Sequence, residues 1–181
     1  MTNPANPSPL AHNALHFAPL SKAHAREAFA CSRHPVLAKY IREQAMQDMT
    51  KHVAAPCALV DARGTIIGYY TLSAASVTLD QIPPAAAKGL PSYPQIGAVR
   101  IGRLAVGDQF LGQGHGKRLL MNALDRIAQA ATTLGVAFVI VDAKDDEAAE
   151  FYAKYGFEPF PGTPMSLFLP MRTLLALFGR P

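Results

Sequence analysis

An α/β sandwich around one mixed, mostly antiparallel sheet is the architecture that three features of this 181-residue sequence predict. A glycine-rich strand-to-helix turn lies in mid-chain at residues 102–118, GRLAVGDQFLGQGHGKR. Three segments of β-like composition precede it, and helical and β-like segments alternate after it. Half of the residues are hydrophobic, so a chain of this length can bury a real core. Two helices, three strands, then helix, strand, helix and two strands is an order that flanks a central sheet with helices.

The elements follow from local chemistry. Residues 1–14 are rich in Pro and Asn, lack a basic or apolar signal-like stretch, and read as a disordered leader. Residues 15–181 read as a single domain. Ser21 to Ala30 has helical spacing, with Ser21 as its N-cap. Pro35 opens a second helix whose apolar stripe is Val36, Leu37, Tyr40, Ile41 and Ala45. Ala58 to Val60, a turn at 61–64 and Thr65 to Ser76 read as a β-hairpin. Pro83, Pro84, Pro91 and Pro94 make 82–95 a long loop or a short helix, and a third strand runs from Ile96 to Val106.

The second half is more strongly patterned. Leu119, Leu120, Ala123, Leu124, Ile127 and Ala131 recur at helical spacing over 115–134, and Gly135 stops that helix. Val136 to Val141 is a continuous apolar run, as in a strand covered on both faces. Asp145 to Tyr155 is a short helix with acids in its first turn. Phe157–Phe160 and Met165–Met171 are closing strands, and Thr173–Phe178 forms a terminal helical turn.

Composition excludes several classes. No apolar run reaches the roughly 18–20 residues that span a bilayer, so no membrane partner is expected. Cys31 and Cys57 are too few and too far apart for a disulfide framework or a zinc site, which implies no metal and a reducing, cytoplasmic compartment. The net charge of +4 points modestly to anionic partners, and Arg100, Arg103, Lys117 and Arg118 concentrate it beside the glycine loop. Bare backbone N–H groups at the mouth of a helix favour an anion there. A Walker lysine–Ser/Thr pair is missing, because Arg118 follows Lys117. A dinucleotide fold needs its loop near the start of a repeating βαβ unit. ATP hydrolysis and NAD binding therefore both fit poorly.

Three segments carry a resemblance: RLAVGDQFLGQGHGKRLL at 103–120, DAKDDEAAEFYAKYGFEPF at 142–160 and MSLFLPM at 165–171. Together they resemble the GNAT superfamily of acyl-CoA-dependent N-acyltransferases over about residues 25–178. That resemblance implies a sheet splayed between its fourth and fifth strands, with acetyl-CoA lying in the opening. It further implies that Gly112, Gln113, Gly114, His115, Gly116 and Lys117 offer backbone amides to the pyrophosphate. Leu104, Ala105 and Val106 would pair with the pantetheine arm. Leu111 stands where the family commonly has Gln or Arg, so the loop's grip is expected to be weakened but retained. His115 replaces a small or aliphatic residue and is expected to point to solvent.

By the same resemblance Tyr152 is the general acid that protonates the departing thiolate. Tyr155 is its nearest decoy and is expected to pack on the surface or core. Glu150, Asp142 and His115 could serve as a general base, but each reads more simply as a solvated or capping group. The segments YIREQAMQDMTKHVAAPCALVD, GYYTLSAASV and LPSYPQIGAVRIGRLAV are similar to GNAT toxins of bacterial toxin–antitoxin pairs. This implies acetylation of the α-amine of aminoacyl-tRNA, a ribbon–helix–helix antitoxin as partner, and a homodimer. Arg100 and Arg103 are spaced to face opposite sides of their strand, and Arg103 is the choice for tRNA phosphate, unless it forms an ion pair with a nearby acid. A housekeeping GNAT acting on a small amine or protein N-terminus, or a non-catalytic acetyl-CoA-binding module, are the alternatives.

Overall fold

A computed structural model describes residues 14–179, so the leader expected at 1–14 lies outside the described residues except for Ala14. The strands are β1 (His16–Pro19), β2 (Ala55–Val60), β3 (Ile66–Val77), β4 (Ile96–Val106), β5 (Phe138–Asp142), β6 (Glu158–Phe160) and β7 (Thr163–Pro170). They form one sheet in the order β1-β2-β3-β4-β5-β7-β6, mostly antiparallel. The exception is β4 with β5, which run parallel. The helices are α1 (Pro35–Glu43), α2 (Ala45–Thr50), a short α3 (Pro84–Ala87), α4 (His115–Ala130), α5 (Asp146–Ala153) and α6 (Met171–Leu177). The mixed, helix-flanked sheet is the architecture predicted from sequence.

The register of β4 on β5 runs from Ala98↔Phe138 to Ile101↔Val141 and stops there. Strand β4 itself continues to Val106, beyond the reach of β5, which ends at Asp142. Strand β5 goes on to pair antiparallel with β7, through Asp142↔Ser166.

Two compact units share the sheet, one built from the chain up to Tyr70 with Arg103–Leu119, the other from Thr71–Gly102 with the chain from Leu120 onward. In the first, Leu37, Tyr40 and Ile41 of α1 bury against Ala58, Val60, Ile66 and Tyr69. Tyr69 is fully buried and its hydroxyl donates to the Leu37 carbonyl (2.7 Å), so an aromatic core residue also satisfies the backbone of α1. In the second, Phe138 and Phe168 meet edge to face at 5.9 Å among Val77, Ile96, Ala98 and Ile140. Leu120, Ala123, Leu124 and Ile127 of α4 are essentially inaccessible, as their spacing predicts. Burying each large aliphatic side chain is worth about 1.5–3 kcal/mol.

Local propensity was overridden in three places. The helix expected over 21–30 is only a 3-10 turn at Arg26–Ala28. Its amides are captured elsewhere: the Ala25 N–H donates to the Gly64 carbonyl (2.9 Å), while the Ala30 carbonyl accepts from Asp108 (3.0 Å). Helix α4 ends at Ala130 and not at 134, because Thr132 and Thr133 turn their hydroxyls onto the carbonyls of Gln129 and Ala130 and close the chain into a turn. Strand β1 and helix α2 were not anticipated. Only four residues long, β1 exists through its pairing with β2, from His16↔Val60 to Pro19↔Cys57.

Among the described residues no helix is long and apolar enough to cross a membrane, and no group of three or more His, Cys, Asp or Glu could hold a metal ion. The two cysteines are free and buried.

Gly97 holds the start of β4 close to the turn before β5: a Cβ there would stand 2.4 Å from the Gly135 carbonyl oxygen. Gly97→Ala is therefore expected to destabilise the protein by about 1–3 kcal/mol, the cost of a forced backbone shift. Urea denaturation checks this, and an unchanged midpoint would refute it.

Candidate active site

Strand β4 delivers the chain to the glycine loop, which then opens α4. Gly112 and Gly114 adopt φ of +72° and +78°, a region that L side chains enter at a cost, whereas the space around both is open. Conformation, not crowding, is what requires glycine here. The Arg118 N–H is the first after the loop to donate backward, to the Gly114 carbonyl (3.2 Å). The amides from Gly112 to Lys117 are therefore left over by the helix start. A set of unconsumed N–H groups at the positive end of a sixteen-residue helix suits an anion such as a pyrophosphate.

The side chains of the loop divide sharply. Leu111 is 59% exposed, and Gln113 and Lys117 are exposed as well. The Gln113 amide donates back to the Gln109 carbonyl (3.3 Å), bracing the loop. His115 overturns the expectation that it points to solvent: it is only 8% exposed and its ring meets Phe110 edge to face. Its Nδ1 is buried with no hydrogen-bond partner. Burial, with a smaller push from the Arg118 charge, lowers its pKa and favours the neutral ring.

Upstream on β4, Leu104 and Val106 are half-buried and Ala105 is buried. Arg103 is half-buried with its guanidinium carbon 3.6 Å from the centroid of the Tyr40 ring. The anticipated ion pair with an acid is not what holds it; a cation–π contact is. The Tyr40 hydroxyl donates to Asp48 (3.0 Å), and burial together with that bond pushes its pKa up to about 12. Sequence spacing placed Tyr40 only in an apolar stripe, so this platform under Arg103 was missed. A stack between residues so far apart leaves no local signal.

In the other unit α5 carries Tyr152. Its N-cap is Asp145, whose carboxylate accepts from the Ala148 N–H (2.8 Å), and Asp146 and Glu147 complement the dipole in the first turn. Tyr152 is 7% exposed and packs on Phe151 and Phe157, with ring centroids at 5.3 and 5.5 Å. Burial alone raises its pKa far above the ordinary phenol value, so the hydroxyl keeps its proton. Tyr155, half-buried against Phe151, lies one turn on. Glu150 is exposed. Asp142, at the end of β5, is neither a lone base nor a cap: it pairs with Arg100 and accepts from the Ser166 hydroxyl (2.7 Å).

The sequence profile of the acetyltransferase (GNAT) domain matches residues 21–172. The chain belongs to the GNAT acetyltransferase family. Among related proteins, a tRNA-acetylating toxin of Mycobacterium tuberculosis (strain ATCC 25618 / H37Rv) is 32% identical over 148 residues, covering 82% of this chain and 87% of its own. A probable toxin TacT of Sinorhizobium fredii (strain NBRC 101917 / NGR234) is 31% identical over 122 residues, covering 64% and 67%. The fold is similar to that of AtaT complexed with acetyl-methionyl-tRNAfMet, at a TM-score of 0.84 and 24% identity over 91% of this chain and 99% of that one. GNAT membership makes the chain an acetyl-CoA-dependent N-acetyltransferase.

The buried neutral His115 of this GNAT domain has a consequence for stability. Unfolded chains protonate histidine near pH 6.5, whereas folded His115 resists until lower pH. Its contribution is thus present above that value and lost as pH falls. His24, also lowered by burial, adds to the same slope. His115→Leu is expected to flatten the decline of stability between neutral and acid pH, followed by denaturant titration across that range. An unaltered slope would show that the ring is not held neutral.

Proposed function

We propose that this GNAT domain transfers the acetyl group of acetyl-CoA to the α-amine of an aminoacyl-tRNA and blocks translation as a toxin. The observation that carries the reading is the relationship to the tRNA-acetylating toxin, which extends over most of both chains. In this reading the amides of Gly112 to Lys117 bind the pyrophosphate, with Leu111 contributing only backbone. The main-chain groups of Leu104, Ala105 and Val106, on the part of β4 that runs beyond the end of β5, hold the pantetheine arm in sheet-like pairing. Acetyl-CoA supplies an acyl group activated as a thioester.

Tyr152 holds the proton that the departing sulfur needs. Its burial keeps that proton in place until the thiolate forms as acceptor. The nitrogen–carbon bond forms as the carbon–sulfur bond breaks. The ammonium gives up two protons in all, one restoring the tyrosine hydroxyl and one passing to solvent. An α-amine with a pKa of about 7.7–8.0 is partly neutral at pH 7, whereas a lysine near 10.4 is not. A site without a dedicated base is therefore suited to an α-amine.

Arg103 contacts the tRNA backbone. Stacked on Tyr40, its guanidinium is already ordered, so less side-chain entropy is lost when a phosphate arrives. Such contacts add affinity without reading sequence. A toxin of this kind works in the cytoplasm beside a neutralising antitoxin, here of ribbon–helix–helix type, and acts as a homodimer.

The test is to incubate the purified protein with labelled acetyl-CoA and a charged-tRNA pool and to identify which species gains label. Label on aminoacyl-tRNA is the expected result; label confined to free amines or proteins would refute it. Tyr152→Phe should keep acetyl-CoA affinity and lose about 10²–10⁴-fold in kcat, the usual worth of a general acid. Unchanged turnover in that variant would remove Tyr152 from the chemistry.

A further inference from the structure

A cleft of about 340 Å³ opens on the second unit, at the end of β5. Three charged residues line it: Asp80, Arg100 and Asp142. Arg100 is paired with Asp142, whose other oxygen accepts from Ser166, so that pair is electrically closed and its carboxylate is fixed in orientation. Asp80 is left as the uncompensated charge, and the cleft is net negative. Val77, Ile140 and Phe160 supply apolar lining. Asp142 is the first residue of β5 beyond its register with β4.

Resting on the acetyl-transfer reading above, we propose that this cleft is the seat of the aminoacyl group, with the α-ammonium bound by Asp142 and the amino-acid side chain lying on Val77, Ile140 and Phe160. A carboxylate held from two sides by Arg100 and Ser166 presents its remaining lone pairs to an incoming N–H donor without reorganising. Asp80 draws the cation in and rejects a carboxylate brought by the substrate. The substrate class is thereby narrowed: tRNAs charged with apolar residues are accepted, and tRNAs charged with Asp or Glu are refused. Arg100 is a positioning residue, acting only through Asp142.

The test uses the full-length protein, saturating acetyl-CoA and a set of individually charged tRNAs. Asp142→Asn should raise KM for charged tRNA by about tenfold, the worth of one charge-assisted hydrogen bond, while acetyl-CoA affinity measured by calorimetry stays unchanged. Because that variant strands Arg100, a double variant carrying Arg100→Asp and Asp142→Arg serves as its control. The exchanged pair should restore thermal stability without restoring KM, since the carboxylate no longer stands at the end of β5. Asp80→Asn should admit Asp- and Glu-charged tRNAs. An unchanged KM in Asp142→Asn, recovery of KM in the exchanged pair, or efficient labelling of Glu-charged tRNA by the wild type would each overturn the assignment. A wild-type protein that binds acetyl-CoA yet labels no charged tRNA would overturn the aminoacyl-tRNA reading itself, and this assignment with it.

Discussion

Strand β4 outlasts its parallel partner: β5 ends at Asp142, one residue beyond the last paired position, while β4 runs on to Val106 and into the glycine loop. Because it ends at Asp142, β5 has no residues to offer the main-chain donors and acceptors of β4 from Arg103 to Val106. Unpaired strand edges cost stability and invite pairing, which is why folded proteins usually cover them. Here the stretch beyond β5, Arg103 to Val106, leads directly into a loop whose amides are left over by the helix it opens. In the function proposed above, both present backbone, not side chains, to acetyl-CoA. A site built this way tolerates Leu111 where a polar residue would otherwise add a bond.

Burial does the remaining electrostatic work. His115 and Tyr152 sit in different units, yet desolvation keeps each of them neutral. A neutral ring at the start of α4 adds no charge of its own near the loop, so anion attraction there comes from the helix dipole and from exposed Lys117 and Arg118. A protonated tyrosine needs no partner to stay protonated, only the Phe151 and Phe157 rings that exclude water. Where charge is retained, it is anchored: Arg103 lies on an aromatic face and Arg100 on a carboxylate.

Legibility in the sequence followed the range of the interactions responsible. The stripe of Leu119 to Ile127 and the apolar run into Val141 were readable because each encodes its own periodicity over several turns or residues. The glycines were readable because positive φ at Gly112 and Gly114 is a local demand. Residues 21–30 misled because their helical spacing competes with bonds to Gly64 and Asp108, which no window of sequence contains. His115 misled for a similar reason. Flanked by glycines it looked solvated, but the Phe110 ring five residues before it folds back to cover it.

The lack of a strong base also bears on which amines this domain can use. An ammonium must lose a proton before its nitrogen can attack, and the cost grows with the amine's pKa. A lysine near 10.4 pays about 4.6 kcal/mol at pH 7 for that step, against about 1 for an α-amine near 7.7–8.0. Asp142, committed to Arg100 and Ser166, is poorly placed to make up the difference, since taking a proton would break a pair already formed. Its value lies in holding the ammonium where deprotonation by water suffices. The same arrangement that makes Asp142 a weak base makes it, in the assignment proposed above, a well-oriented acceptor. Because a carboxylate favours the charged ammonium, an amine that starts at about 7.7–8.0 can still give its proton to water at modest cost, whereas one at about 10.4 cannot.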